Sequence, residues 1–237
     1  FGGGNFFAGY AQGWTQSWEI TGGLFQFDRD LNFGQNLWNM VSKFTWEAPQ
    51  TFLGLTVSQG LNVGTVVNDV NYFRGATVLD TEIVGGAFTL GSYIVGPPGF
   101  RPDFTDHLFV HEFGHYLQSK RMGPFYMNFV ALPSVTDVRL WPNRHDTRWY
   151  EAGANRLAAD YFDREFGTGA PGYFVGSLNH FDRNSFTNNM TESPYQNPRN
   201  RGFNAGGFPL RSRFHWSDIP INLFYNGGLG LFGFLFI

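Results

Sequence analysis

The sequence predicts an α+β fold in which a β-rich amino-terminal half packs on a central pair of helices. Three observations lead there. Residues 102–124 and 147–166 carry apolar side chains at helical spacing between helix start and stop signals. Residues 51–95 break instead into short apolar runs of the period-two kind that strands show. Of 237 residues, 31 are glycine and 28 phenylalanine, a composition suited to many short strands and turns with large rings between them.

A chain of 237 residues buries a substantial core without covalent staples. No repeat or low-complexity linker divides it, so a single domain over 1–237 is expected. Its parts would be a β-rich stretch at 1–97, two site-bearing helices at 98–170 and a loop-rich stretch at 171–237. Net charge is −3, only 15% of residues are charged, and Lys43 and Lys120 are the only lysines. Nucleic-acid binding needs a basic face, which this composition does not supply. The apolar run Gly227–Ile237 is shorter than the roughly 20 residues a membrane-spanning helix needs, so no transmembrane span is expected. It reads as a strand or tail tucked into the core. The opening FGGGNFF lacks both Met and a charged-then-apolar leader, which suggests a processed product or a fragment of a longer polypeptide.

Taken in order, residues 1–36 read as small strands and turns. Asp28, Asp30 and Asn32 have the alternate spacing of a calcium loop. Phe33 stands where that loop needs glycine and Asn39 where it needs glutamate, so a polar turn is the better reading. Residues 36–47 suggest a short helix with Leu37, Val41 and Phe44 on one side, stopped near Pro49. Strands are expected at 63–70, 76–84 and 87–95, the last two joined as a hairpin by Gly85-Gly86. The strand at 87–95 could offer its edge to an extended peptide.

Residues 102–124 are the centre of the reading. Pro102, Asp103 and Thr105 supply the start of a helix, Phe109, Val110, Phe113 and Leu117 its apolar stripe, and Lys120, Arg121, Gly123 and Pro124 its end. Within it lies an H-E-x-x-H, His111 to His115. Four residues on a helix is about one turn, so both imidazoles can face one metal ion. Glu112 then projects beside that ion, where its carboxylate can take a proton from activated water. After a loop at 125–143, with prolines at 133 and 142, Asp146 caps a second helix at 147–166. Along it Glu151, Asn155, Ala158 and Phe162 share a face.

Two histidines leave a zinc ion short of protein ligands, since hydrolytic sites commonly have three. With no cysteine in the chain, the third must be histidine or a carboxylate. His107 is one turn from His111 but about 12 Å of helix rise from His115, too far to join both. The longer metzincin motif requires Gly at 118 and His at 121, where this chain has Gln118 and Arg121. Glu151, opening the second helix, is the strongest candidate. His145, Asp146, Asp137, Glu165 and Glu192 compete with it.

The H-E-x-x-H of His111–His115 followed by Glu151 on the next helix resembles the gluzincins, the thermolysin-like zinc metallopeptidases. The resemblance covers only those two helices. It implies one zinc ion on His111, His115 and Glu151, with Glu112 as general base in the hydrolysis of a peptide or protein. In that family an aspartate four residues after the glutamate commonly holds the first histidine; here Asn155 stands there, able to orient the ring without a full charge. The family also stabilises its tetrahedral intermediate with a downstream histidine and a tyrosine. His215 is the first choice for that role here, with His180, Tyr150 and Tyr161 as others.

A wider resemblance lies in FTWEAPQTFLG, RGATV, FTLGSYI and HEFGHYLQS together. These are similar to predicted metallopeptidase-like domains near the ends of large secreted bacterial YD-repeat, toxin-like proteins. That likeness implies a secreted or cell-surface protein and a processed piece associated with other parts of a larger polypeptide. A rival reading is a catalytically inactive, metal-stabilised structural or interaction domain, which Asn155 in place of an acid favours. A toxin module of a larger secreted protein would be compatible with the hydrolase.

Overall fold

Helices, not strands, make up most of residues 6–63. In a computed structural model, residues 6–166 are described except 84, 104, 105, 141–144, 146 and 147. His180, Glu192, His215, the whole of 171–237 and the cap residue Asp146 therefore lie outside the described residues. The chain packs as two compact units, Phe1–Pro102 and Asp103–Ile237. The α+β class holds, with four strands and a majority of helix among the described residues.

The first unit begins with α1 (Phe6–Gly22), a 3₁₀ turn (Gly23–Phe25), α2 (Phe33–Phe44) and α3 (Ala48–Val63). This corrects the expected strands and turns over 6–36 and the β-rich character of 6–97, residues 1–5 lying outside the described residues. The helix expected at 36–47 is formed, as α2, but it packs on the opposite face. Its buried residues Asn36, Asn39, Ser42 and Lys43 repeat at helical spacing but are polar, whereas Phe33, Leu37, Trp38, Val41 and Phe44 are exposed. The helix is turned inside out, so an apolar stripe points away from the packed face. Asn36 repays its burial: its amide donates to the carbonyls of Asp28, Leu31 and Asn32 and accepts from the Asp28 N–H. Asn32 and Gln35 form a reciprocal capping box that starts α2 three residues before the expected position. Pro49 opens α3 in its first turn, where no N–H is needed, and so begins a helix as well as following one. Asp28 accepts from the Asp30 and Arg74 N–H groups, as a polar turn does.

The four strands form one sheet in the order β1-β2-β4-β3: β1 (Val67–Phe73), β2 (Ala76–Thr81), β3 (Phe88–Leu90) and β4 (Tyr93–Gly96). β1 and β2 make a hairpin through Arg74 and Gly75, both at positive φ (49° and 94°), the handedness of a two-residue primed turn. The expected hairpin between 76–84 and 87–95 is not formed. β2 pairs with β4 in parallel and β3 with β4 antiparallel, and the expected single strand 87–95 is folded back on itself at Gly91-Ser92. Gly91, at φ 59°, lies so close to α3 that a Cβ there would stand 2.5 Å from the Thr51 backbone. A side chain would prevent both the turn and the approach. Ile20, Leu24, Val67, Leu79, Tyr93 and Val95 form the core of this unit, and the Tyr93 hydroxyl donates to the Ile20 carbonyl.

The second unit is helical where described. α4 spans His107–Met122, capped by Asp106, whose carboxylate accepts from the Leu108 N–H at 2.9 Å. The cap is thus Asp106 and not Asp103 or Thr105. Gly123 at φ 56° ends the helix. Of the residues expected as a loop at 125–143, Met127–Ala131 form a π-helical turn and Leu132–Leu140 form α5, while 141–143 lie outside the described residues. Pro133 follows closely on the π-helical turn, inside a helical run that is unbroken from 125 to 140. α6 spans Trp149–Phe166 and packs along α4. Behind the contact, the ring of Phe113 meets those of Tyr161, Tyr116 and Phe162 at 5.0–5.3 Å. No described helix is long and apolar enough to cross a membrane.

Candidate metal centre

α4 and α6 meet at backbone distance. A Cβ on Gly114, between the two histidines, would lie 2.1 Å from the Ala154 carbonyl oxygen. The absent side chain lets α6 approach, and one turn before Ala154 this approach brings Glu151 to the histidines. His111 Nε2 and His115 Nε2 lie 3.1 Å apart, and Glu151 Oε2 is 3.1 Å from the first and 3.0 Å from the second. The two rings are perpendicular, with centroids 4.7 Å apart. All three residues are buried and present one ligand atom each to a common point.

The tautomers follow from the neighbours. Asn155 Oδ1 lies 2.6 Å from His111 Nδ1, and Gln118 Oε1 lies 2.8 Å from His115 Nδ1. An amide oxygen only accepts, so both Nδ1 atoms carry protons and both Nε2 atoms of neutral imidazoles present lone pairs. The orientation of the Gln118 amide is fixed independently, because its nitrogen donates to the Tyr150 carbonyl at 2.6 Å. Two nitrogen lone pairs and a carboxylate oxygen thus form a triangle with 3.0–3.1 Å edges, which repel unless a cation or proton stands among them. A tetrahedral zinc site with bonds of ~2.0–2.1 Å has ligand–ligand edges of roughly 3.3 Å, close to this triangle. The donor set fits a divalent cation that accepts nitrogen and oxygen ligands.

Protonation shows the same demand for positive charge. Burial alone would lower the pKa of His111, but the hydrogen bond and charge of Glu151, the charge of Glu112 and the bond to Asn155 push it up to about 9. Burial would raise Glu151, but the charge of His115, its bonds to His111 and His115 and the charge of His145 hold it well below the usual carboxylate range. His145 Nε2 lies 3.4 Å from the other carboxylate oxygen of Glu151, in ion-pair range but without a hydrogen bond. Glu112 is buried beside this group, and its charge acts on His111.

The other candidate ligands are engaged elsewhere or lie outside the described residues. Buried Asp137 accepts from the guanidinium of Arg148 and from the Tyr150 hydroxyl. Glu165 is exposed and paired with Arg164 at 3.3 Å. Tyr150 is committed to Asp137, and Tyr161 packs on Phe113 with the Arg164 guanidinium over its ring, so neither hydroxyl is placed at the triangle by a described contact. A buried tyrosine that the sequence reading passed over is Tyr126. Burial raises its hydroxyl well above the ordinary value, and the charges of Glu112 and Glu151 add to the effect. No periodic pattern singles it out, since it sits at the entry to a π-helical turn. Gln118 was legible in principle, being three residues and about one turn from His115.

No protein-family model matches the chain, and comparison with curated proteins and with solved structures likewise finds no match.

Proposed function

We propose that this protein is a zinc-dependent hydrolase that cleaves peptide bonds, with His111, His115 and Glu151 as ligands and Glu112 as general base. The observation that carries this reading is the buried triangle of His111 Nε2, His115 Nε2 and Glu151 Oε2, with both imidazoles held as Nδ1–H tautomers and an acid next in sequence to the first histidine. Zinc there would supply a Lewis acid that polarises the scissile carbonyl and makes nearby water more acidic.

The remaining chemistry belongs to the chain. Glu112 accepts one proton from the attacking water and returns it to the amine as the C–N bond breaks, so the water is divided between the two products. Tyr126, whose hydroxyl keeps its proton because burial and the charges of Glu112 and Glu151 raise its pKa, is our candidate donor for the negative oxygen that develops on the carbonyl, alongside His215, which lies outside the described residues. Asn155 and Gln118 keep the imidazoles aimed.

A second reading, a metal-stabilised structural domain that cleaves nothing, is favoured by one observation: His111, His115, Glu112 and Glu151 are each 5% exposed or less. Elemental analysis of the purified protein and of Glu151→Ala separates metal binding from its absence. About one zinc per chain, lost in the variant, supports the site; no metal after zinc is offered sinks both readings. Hydrolysis of a peptide library by wild type but not by Glu112→Gln, with zinc retained in both, selects the enzyme. Zinc retention with no cleavage, and a thermal transition that rises on zinc addition, selects the structural domain.

A further inference from the structure

We infer that Gln118 is a positioning residue that sets the tautomer of His115 and ties that ligand to the helix carrying Glu151. The inference rests on the metal-site reading above, but its geometry is independent of any ion. Gln118 is 4% exposed, and both ends of its amide are used. Oε1 faces His115 Nδ1 at 2.8 Å within α4, while Nε2 donates across to the Tyr150 carbonyl at 2.6 Å. Tyr150 immediately precedes Glu151. One side chain therefore fixes the proton on His115 and the position of the backbone that carries the carboxylate ligand.

The division of labour is asymmetric. Asn155 acts on His111 from α6, the helix of Glu151, and Gln118 acts on His115 from α4, the helix of both histidines. Each ligand histidine is thus oriented by an amide, and each helix contributes one. Gln118 adds a second amide bond, across to the opposite helix. Loss of its amide frees His115 to place its proton on Nε2, where it blocks a cation, and releases the end of α6 from α4.

Two variants separate these effects. Gln118→Met keeps length and burial but removes both bonds; Gln118→Glu keeps an acceptor for His115 and loses the donor to Tyr150. Long-range proton–nitrogen NMR of the metal-free proteins reads which ring nitrogen of His115 is protonated, and competition with a chromophoric chelator reads zinc affinity. In wild type, a proton on Nδ1 of His115 is expected. Gln118→Met is expected to show the Nε2–H tautomer and roughly 10- to 100-fold weaker zinc binding. Gln118→Glu is expected to regain the Nδ1–H tautomer and part of the affinity. An Nε2–H tautomer in wild type, or wild-type tautomer and affinity in folded Gln118→Met, overturns the assignment. If Gln118→Met fails to fold, the wild-type tautomer and the behaviour of Gln118→Glu decide. If no form binds zinc, the metal reading falls, while the tautomer measurement still judges the role of Gln118.

Discussion

Substituting alanine for Gly114 tests whether the helix contact, and not only the ligands, builds the site. In an ordinary helix interior this change is favourable by about 1 kcal/mol, because glycine is the poorer helix former. Here the added Cβ would stand 2.1 Å from the Ala154 oxygen, 2.5 Å from its carbonyl carbon and 3.0 Å from its Cα. Carbon–oxygen contacts need roughly 3.3 Å, so α4 and α6 must part locally by about 1 Å. The neighbour is backbone and cannot rotate away. Overpacking of this kind costs roughly 1–3 kcal/mol, which outweighs the helix preference. Glu151 lies one turn from Ala154 and would move with it, whereas metal sites tolerate only about ±0.2 Å in ligand distance. Gly114→Ala is therefore expected to lower the melting temperature of the metal-free protein and to weaken zinc binding at least ~10²-fold, although it touches no ligand. Differential scanning calorimetry and chelator competition measure the two effects. A higher melting temperature with unchanged zinc affinity would show that the helices do not meet through Gly114, and the construction of the site given above would be wrong.

Further outcomes follow from protonation and from the inverted helix. The His111 pKa of about 9 in the folded protein lies above its ordinary value of 6.5, so its contribution to metal-free stability is complete below 6.5 and is lost as pH rises through about 9. Glu151 is shifted the other way; its contribution is present above 4.5 and lost as pH falls through its lowered value. Urea unfolding of chelator-treated protein should show this support intact near pH 6 and diminished at pH 9.5, while zinc affinity rises over the same interval because the ion displaces the His111 proton. Equal zinc affinity at both pH values would contradict the assignment of His111. In α2, Asn36→Ala should cost roughly 2–3 kcal/mol, since it strands buried backbone groups of the preceding turn. Leu37→Ala, on the exposed face, should stay within about 1 kcal/mol, and a reversed order in urea unfolding would mean that α2 packs on its apolar side.

What could be read from the sequence divides along a physical line. The helices at 107–122 and 149–166 were legible because Phe109, Val110 and Phe113, and Ala158 and Phe162, place apolar residues inward, as the periodicity rule assumes. The common face of Glu151 and Asn155 followed from the same period. α2 was found by the same rule, through Leu37, Val41 and Phe44, but with the wrong face inward, because Asn36, Asn39 and Lys43 take the buried positions and a polar stripe is invisible to a search for apolar ones. The strand 87–95 had the right alternation, but Gly91-Ser92 folds it after three residues, and that turn depends on Thr51 lying against it. Partner choice within the sheet was equally hidden, because the parallel pairing of β2 with β4 is not encoded in either strand's own pattern. Pro49 and Pro133 were read as breaks, although Pro49 opens a helix and Pro133 lies within a helical run.

The neutral amides at Asn155 and Gln118 gain their sense from charge. Glu112 and Glu151 are both buried at the site, so the carboxylates already present match one divalent cation. Carboxylates at positions 118 and 155 would make the ligands stronger bases, but they would leave two surplus negative charges in the same buried volume. In the metal-free protein that repulsion has only the imidazoles to offset it. The double variant Asn155→Asp/Gln118→Glu is accordingly expected to be less stable than wild type without metal and to gain more from zinc. The rise in melting temperature on zinc addition should then exceed that of wild type at pH 7.5. An equal or smaller rise would mean that the site is not balanced by charge, and that the amides are there for shape alone.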